Sequence, residues 1–156
     1  MRILAVDYGT KRMGFALSDP DGLVATPLCV RKAADIDRQV RVICEILEET
    51  EAEALVLGLP LNMNGTESEM SRRVRRLKLK LEEVCRVPIV LRDERLSSGE
   101  AERALLAADV SRAKRKHLID KLAARVLLQS YLETQSEIDA GSQAVRHRNG
   151  DEQVQD

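Results

Sequence analysis

Aromatic side chains are almost missing from this chain. Its 156 residues include no tryptophan, two tyrosines and one phenylalanine, or 2% aromatic. Tyr8, Phe15 and Tyr131 are too few to build a platform on which splayed bases stack, so readout of single strands by base stacking is excluded. Cysteine is also scarce. Cys29, Cys44 and Cys85 are odd in number and far apart in sequence, which fits neither a disulfide framework nor a CxxC metal site. They read as reduced core residues, as expected of a cytoplasmic protein. His117 and His147 lack metal-ligand spacing. No apolar run approaches the ~20 residues that a membrane helix needs. The first residues lead directly into ILAV, without the basic region and cleavage site of a secretory signal.

What is present is a balanced mixture. Apolar residues make up 44% and charged residues 33%, the composition of one soluble globular domain. The net charge of −1 conceals an asymmetry. From Glu133 onward there are six acids and two bases, which leaves 20 acids against 23 bases over residues 1–132. The stretch after Glu137 is rich in Gln, Ser, Gly and Asn and has no periodicity. Residues 136–156 are therefore expected to form a disordered tail, and residues 1–135 the domain.

Within residues 1–135 the pattern alternates. RILAVDY, MGFALSD and VATPLCVRK read as three successive strands with short links, an antiparallel meander, with Pro27 placing the third at an edge. Ile36, Val40, Ile43 and Leu47 then recur at helical spacing. ALVLGLP is an apolar strand. Thr66 and Glu69 have capping-box spacing before a helix marked by Met70, Val74, Leu77, Leu81 and Val84. PIVLRDE is another strand. Ser97 and Glu100 repeat the capping box before a further helix, and HLIDKLAARVLLQSYLE is the last. The order β-β-β-α-β-α-β-α-α predicts an α/β fold: a mixed sheet flanked by helices, its later strands parallel.

One feature of this order calls for chemistry. Asp7 ends an otherwise apolar strand, and a buried carboxylate is costly without a partner. In such sheets ligands gather at the carboxyl ends of the parallel strands, where Asp93 and Glu94 also lie. Asp120 borders the apolar stripe of the last helix beside Ala123 and Ala124. Three acids can therefore converge, and clustered carboxylates require positive charge. Oxygen-only ligands suit Mg²⁺ or Mn²⁺ rather than zinc. Spacing alone equally allows Asp7 to cap a turn and Asp120 to sit in a first helical turn that favours acids.

Strand alternation separates the neighbouring acids. Asp93 shares a side with Ile89 and Leu91, and Glu94 with Val90 and Arg92, so both can hardly point into one site.

Basic residues cluster twice. Arg72, Arg73, Arg75, Arg76, Lys78 and Lys80 surround one helix, where a solvated face is the plain explanation for part of the run. Arg112, Lys114, Arg115, Lys116 and Lys121 adjoin Asp120, and Lys11 and Arg12 follow Asp7. Carboxylate-held metal beside basic surface suits phosphodiester chemistry, with nucleic acid gripped by its phosphates. Arg95 can contact phosphate or hold neighbouring acids; both remain open. Gly58, Pro60, Asn64 and Gly65 shape a loop on the same edge, whereas Gly14 reads as serving the hairpin.

DYGTKRMGFA, GLPLNMNGTES, RDERLSS and HLIDKLAARVLLQSYL resemble, in order and spacing, the YqgF family of ribonuclease H-like proteins. These are described as pre-16S ribosomal RNA nucleases or Holliday-junction resolvases. The resemblance spans roughly residues 1–135. It implies a cytoplasmic metal-dependent nuclease acting in 5′-end maturation of precursor 16S rRNA, on a ribosomal precursor particle or, alternatively, on branched DNA. Carried over by motif, the acids are Asp7, Glu94 and Asp120, with Glu94 favoured over Asp93. Asn64 stands where an acid is expected in many members, and Ser98 where Thr is expected. Two other classes stand beside this reading. One is a non-catalytic RNA-binding assembly factor. The other is an actin-like ATPase, suggested by DYGT but requiring two such domains.

Overall fold

The computed structural model describes the backbone of residues 1–96 and 111–151. Within these, side chains are described except at Arg112, 115–117, 120, 121 and 144–151. The expected helix after Ser97 lies outside the described residues.

Three strands open the chain: β1 (Ile3–Tyr8), β2 (Arg12–Ser18) and β3 (Ala25–Lys32). Helix α1 (Ile36–Thr50), strand β4 (Ala54–Leu59), helix α2 (Glu69–Val84) and strand β5 (Ile89–Asp93) follow. A 3-10 turn (Glu94–Leu96) ends β5, and helix α3 (Arg112–Asp151) is the last described element. The sheet has the order β3-β2-β1-β4-β5. β1, β2 and β3 pair antiparallel, as a meander should. β4 lies parallel to β1 and β5 parallel to β4, because a helix carries the chain back across each connection. β3 is an edge strand, and its pairing with β2 is irregular at Phe15/Ala16, opposite Cys29 and Pro27.

Both α1 and α2 start at side-chain caps, and the start of α2 differs from the expected one. Asp35 caps α1, its carboxylate accepting from Arg38 N at 2.9 Å. α2 begins two residues later than the Thr66–Glu69 spacing suggests. Ser68 is its cap, and Ser68 and Ser71 bond each other reciprocally. Thr66 is instead held in the preceding loop by Asn64, which accepts from its backbone N–H at 3.1 Å.

Alternation divides the core into two layers. Leu4, Val6, Met13, Phe15, Leu55 and Leu57 project to one face and bury against α1 and α2, with Ile43, Ile46, Val74, Leu77 and Leu81. Ile3, Ala5, Ala16, Ala25, Ala54 and Val56 project to the other and meet Ala124, Leu127, Leu128 and Leu132 of α3. The alanines on both sides bring α3 close to the sheet. Gln129 ties the helix to the β2–β3 loop, accepting from Ala25 N at 2.9 Å and donating to Leu23 O at 3.2 Å.

α3 continues through Asp151, over residues expected to lack regular structure. Leu132 is its last described buried side chain, and residues 136–143 are exposed. The helix there runs on without a described packing partner, which accounts for the missing apolar periodicity.

Candidate functional site

The carboxyl ends of β1 and β4 meet on the α3 side of the sheet. Asp7 follows Ala5 in the alternation and so belongs to the alanine-lined face. Across β2 its register partner is Gly14, which is buried. Across β4 the last recorded pair is Val6–Leu57, so the next position beside Asp7 is Gly58. Neighbouring strands lie about 4.8 Å apart. Asp7 is thus flanked at this level by glycine on both strands, and neither neighbour raises a side chain beside it.

Glu94 occupies the space that Gly58 leaves. A Cβ on Gly58 would lie 2.4 Å from Glu94 Oε1 and 3.1 Å from its Cδ and Cγ. The first residue of the 3-10 turn therefore lays its carboxylate over β4, next to the position of Asp7. The glycine is needed here for room rather than for backbone conformation. Asp120 lies in α3 at positions i−3, i−4, i−7 and i−8 from Ala123, Ala124, Leu127 and Leu128, all buried on this sheet face. Position 120 thus continues the stripe that docks α3 on the face carrying Asp7 and Glu94; its side chain is not among those described.

Asp93 is directed elsewhere. It pairs in register with Leu59, on the α1/α2 side. Its Oδ1 accepts from Arg95 N at 3.0 Å, and its Oδ2 accepts from Arg95 Nη2 at 2.7 Å. The Arg95 guanidinium beside it, aided by this backbone bond, holds the Asp93 carboxyl below the usual carboxylate range. Arg95 also donates from Nη1 to Met63 O at 3.2 Å. It thereby ties the end of β5 to the loop after β4, near Gly65 at φ 83°. Of the two roles open for Arg95, the structure displays the holding of a neighbouring acid.

Arg92, not singled out from the sequence, shares the α3 side with Glu94. Its Nη2 donates to Ser130 O, Ser130 Oγ and Thr134 Oγ1 at 3.3, 2.8 and 3.0 Å. Its Nε is buried with no hydrogen-bond partner among the described residues. Arg92 fastens the strand that leads into Glu94 to the helix that carries Asp120.

The two basic clusters differ. On α2, Arg73 pairs with Glu69 at 3.3 Å and Lys80 with Asp37 at 2.9 Å. Arg75 pairs with Glu67, and Lys78 with Glu82. That cluster is largely a neutralised, solvated face. Lys11 is exposed at the β1–β2 turn, Arg12 opens β2 half-buried, and Lys114 is exposed on α3. Arg112, Arg115 and Lys116 lie on the same first turns of α3, their side chains outside those described.

Among the described residues no three His, Cys, Asp or Glu side chains form a group that could hold a metal ion. The described part of the site brings together two carboxylates, Asp7 and Glu94, with oxygen as their only donor atoms.

A five-stranded mixed sheet with this order, a helix on its alanine face and acids at its strand ends is the ribonuclease H-like arrangement. Thermus thermophilus RuvC superposes with a TM-score of 0.58 at 16% identity, over 88% of this chain and 97% of that one. The fowlpox virus Holliday junction resolvase gives a TM-score of 0.52 at 15% identity, over 86% and 99%. These likenesses establish the fold. The family model RuvX, described as Holliday junction resolvase, matches residues 1–134, and the chain belongs to this family, the YqgF family of the sequence resemblance. A relative from Syntrophomonas wolfei is 44% identical over 133 residues, 85% of this chain and 94% of that protein. One from Thermoanaerobacter pseudethanolicus is 44% identical over 136 residues, 86% and 98%. Both are named as proposed pre-16S rRNA nucleases.

Proposed function

We propose that the chain is a metal-dependent nuclease that hydrolyses phosphodiester bonds, with precursor 16S rRNA as its substrate and 5′-end processing as its task. The observation that carries this reading is the laying of Glu94 over Gly58, beside Asp7, at the strand ends. Neither Gly14 nor Gly58 raises a side chain beside Asp7, and the room over Gly58 admits the Glu94 carboxylate, a second oxygen donor. Asp7, Glu94 and Asp120 would hold Mg²⁺ or Mn²⁺, which their all-oxygen donor set fits. The ion, when bound, supplies an activated water and a counter-charge for the reacting phosphate. Asp7 and Glu94 keep their carboxylates on one sheet face, and Arg92 and Arg95 fix the end of β5 that positions Glu94. Lys11, Arg12, Arg112, Lys114, Arg115 and Lys116 would grip phosphates on either side of the scissile bond, giving affinity without base readout. Arg95, at the rim, is available to a phosphate through its exposed edge while holding Asp93. Residues 1–135 would suffice for this activity, with 136–156 an appendage. The site of action would be cytoplasmic, on a ribosomal precursor particle; no described helix is long and apolar enough to cross a membrane.

The names of the relatives favour RNA, while the family description favours a DNA junction. Purified protein with Mg²⁺ or Mn²⁺, offered end-labelled precursor 16S rRNA and a four-way DNA junction in parallel, separates them. Metal-dependent cut of the RNA near its 5′ end, lost in Asp7→Asn, is expected. Cleavage of the junction alone moves the substrate to branched DNA. Binding without cleavage of either makes the protein an assembly factor, and cleavage that survives chelation overturns the metal reading.

A further inference from the structure

On the face of the molecule away from Asp7 and Glu94, the fold closes a gap the sequence leaves wide. Cys44 and Cys85 stand 41 positions apart, yet their Sγ atoms lie 3.3 Å from each other. Cys44 is on α1 and Cys85 is the C-terminal cap of α2, in extended backbone at φ −95° and ψ 141°. Both are free and half-buried. They border a cavity of about 430 Å³ shared with Leu47, Ala52, Val84 and Val87. Cys29, on β3, has no part in that cavity.

We propose that Cys44 and Cys85 form a disulfide modification site that reacts with small-molecule disulfides and reversibly staples α1 to the end of α2. Three observations support it. The sulfurs need to approach by little more than 1 Å to reach the covalent length of roughly 2.05 Å. Cys85 stands just past the last turn of α2, its backbone N–H donating to Leu81 O at 2.7 Å, so the approach falls to side-chain rotation at the two cysteines. The cavity gives a small disulfide access to both sulfurs from one side.

The chemistry is thiol–disulfide exchange. The Cys44 thiolate attacks one sulfur of the external disulfide, forming a mixed disulfide and expelling one thiolate. Cys85, its proton lost to solvent, then attacks Cys44 Sγ and expels the second. Two protein thiols give up two electrons and two protons; the external disulfide takes them up and leaves as two thiols. Burial, with the Cys44 sulfur beside it, pushes the Cys85 thiol up to about 12. The closing step needs the Cys85 thiolate and so quickens as pH rises. Because the link joins elements far apart in sequence, it restricts the unfolded chain and raises the melting temperature.

Native protein incubated with oxidised glutathione, with Cys29→Ser as the reference chain, tests this. The expected product has lost two hydrogens, carries no glutathione, has two fewer reactive thiols, melts higher, and reverts with dithiothreitol. Cys85→Ser, confirmed folded by circular dichroism, should stop as a glutathione adduct on Cys44. Retention of glutathione on either cysteine of the reference chain overturns the proposal, as does reaction only after denaturation.

Discussion

On one face of the sheet, Leu4, Val6, Met13, Phe15, Leu55 and Leu57 fill the space beneath two amphipathic helices. On the other, Ala5, Ala16, Ala25 and Ala54 leave a shallow layer under one helix, and Gly14, Gly58, Asp7 and Glu94 lie at its end. The first face maximises apolar area and so supplies stability. The second gives up area so that a helix and two carboxylates can come close. Leu57 and Gly58 are consecutive residues of β4 that belong to opposite faces. Their substitution should therefore separate stability from activity.

The largest effect is expected from the acids themselves. Glu94→Gln or Asp7→Asn should remove metal-dependent cleavage while leaving the melting temperature near that of the unaltered protein. A Glu94→Gln protein that cleaves normally at limiting metal would remove the second face from the chemistry. Leu57→Ala comes next. The side chain is fully buried, and its truncation should destabilise by about 2–5 kcal/mol in denaturant titrations, with turnover per folded molecule unchanged. Gly58→Ala should do the reverse. Its Cβ would displace Glu94, lowering cleavage by roughly 10–100-fold, the range seen when the support of a metal ligand is lost. Stability should change by less than about 1 kcal/mol, since a strand glycine gains from a side chain. Equal losses of stability and activity in both variants would dissolve the distinction between the faces.

Asp93→Asn should cost only about 1 kcal/mol, because its partner Arg95 is one-third exposed and the lost bonds are solvent-screened. The Asp93 carboxyl is held below its usual value, so its stabilisation is full above about pH 4 and fades as pH falls through the lower native value. The melting gap between the two proteins should accordingly narrow in acid, with cleavage near neutral pH retained. The smallest effect separates the basic clusters. Neutralising Arg112, Lys114, Arg115 and Lys116 should flatten the salt dependence of RNA binding by about 0.7–0.9 per lost phosphate contact. Neutralising Arg73, Arg75, Lys78 and Lys80, already paired with acids, should leave that slope nearly unchanged.

The local pattern of the chain determined a good deal. Short apolar runs specified the five strands, helical apolar spacing specified α1 and α2, and the meander followed from short links. Alternation along PIVLRDE already set Asp93 and Glu94 on opposite sides, since that depends on consecutive residues alone. Tertiary structure decided what depends on register between distant segments. That Asp7 is flanked by Gly14 and Gly58 follows from pairing with β2 and β4. On α2, Arg73–Glu69 and Lys78–Glu82 pair within the helix, whereas Arg75 and Lys80 are neutralised only because Glu67 and Asp37 reach them from outside it. The proximity of Cys44 and Cys85, and the fastening of Arg92 to Ser130 and Thr134, likewise appear only once α1, α2, α3 and β5 are stacked. Sequence spacing carries information across a turn or a pleat, whereas these contacts are fixed by the packing of whole layers.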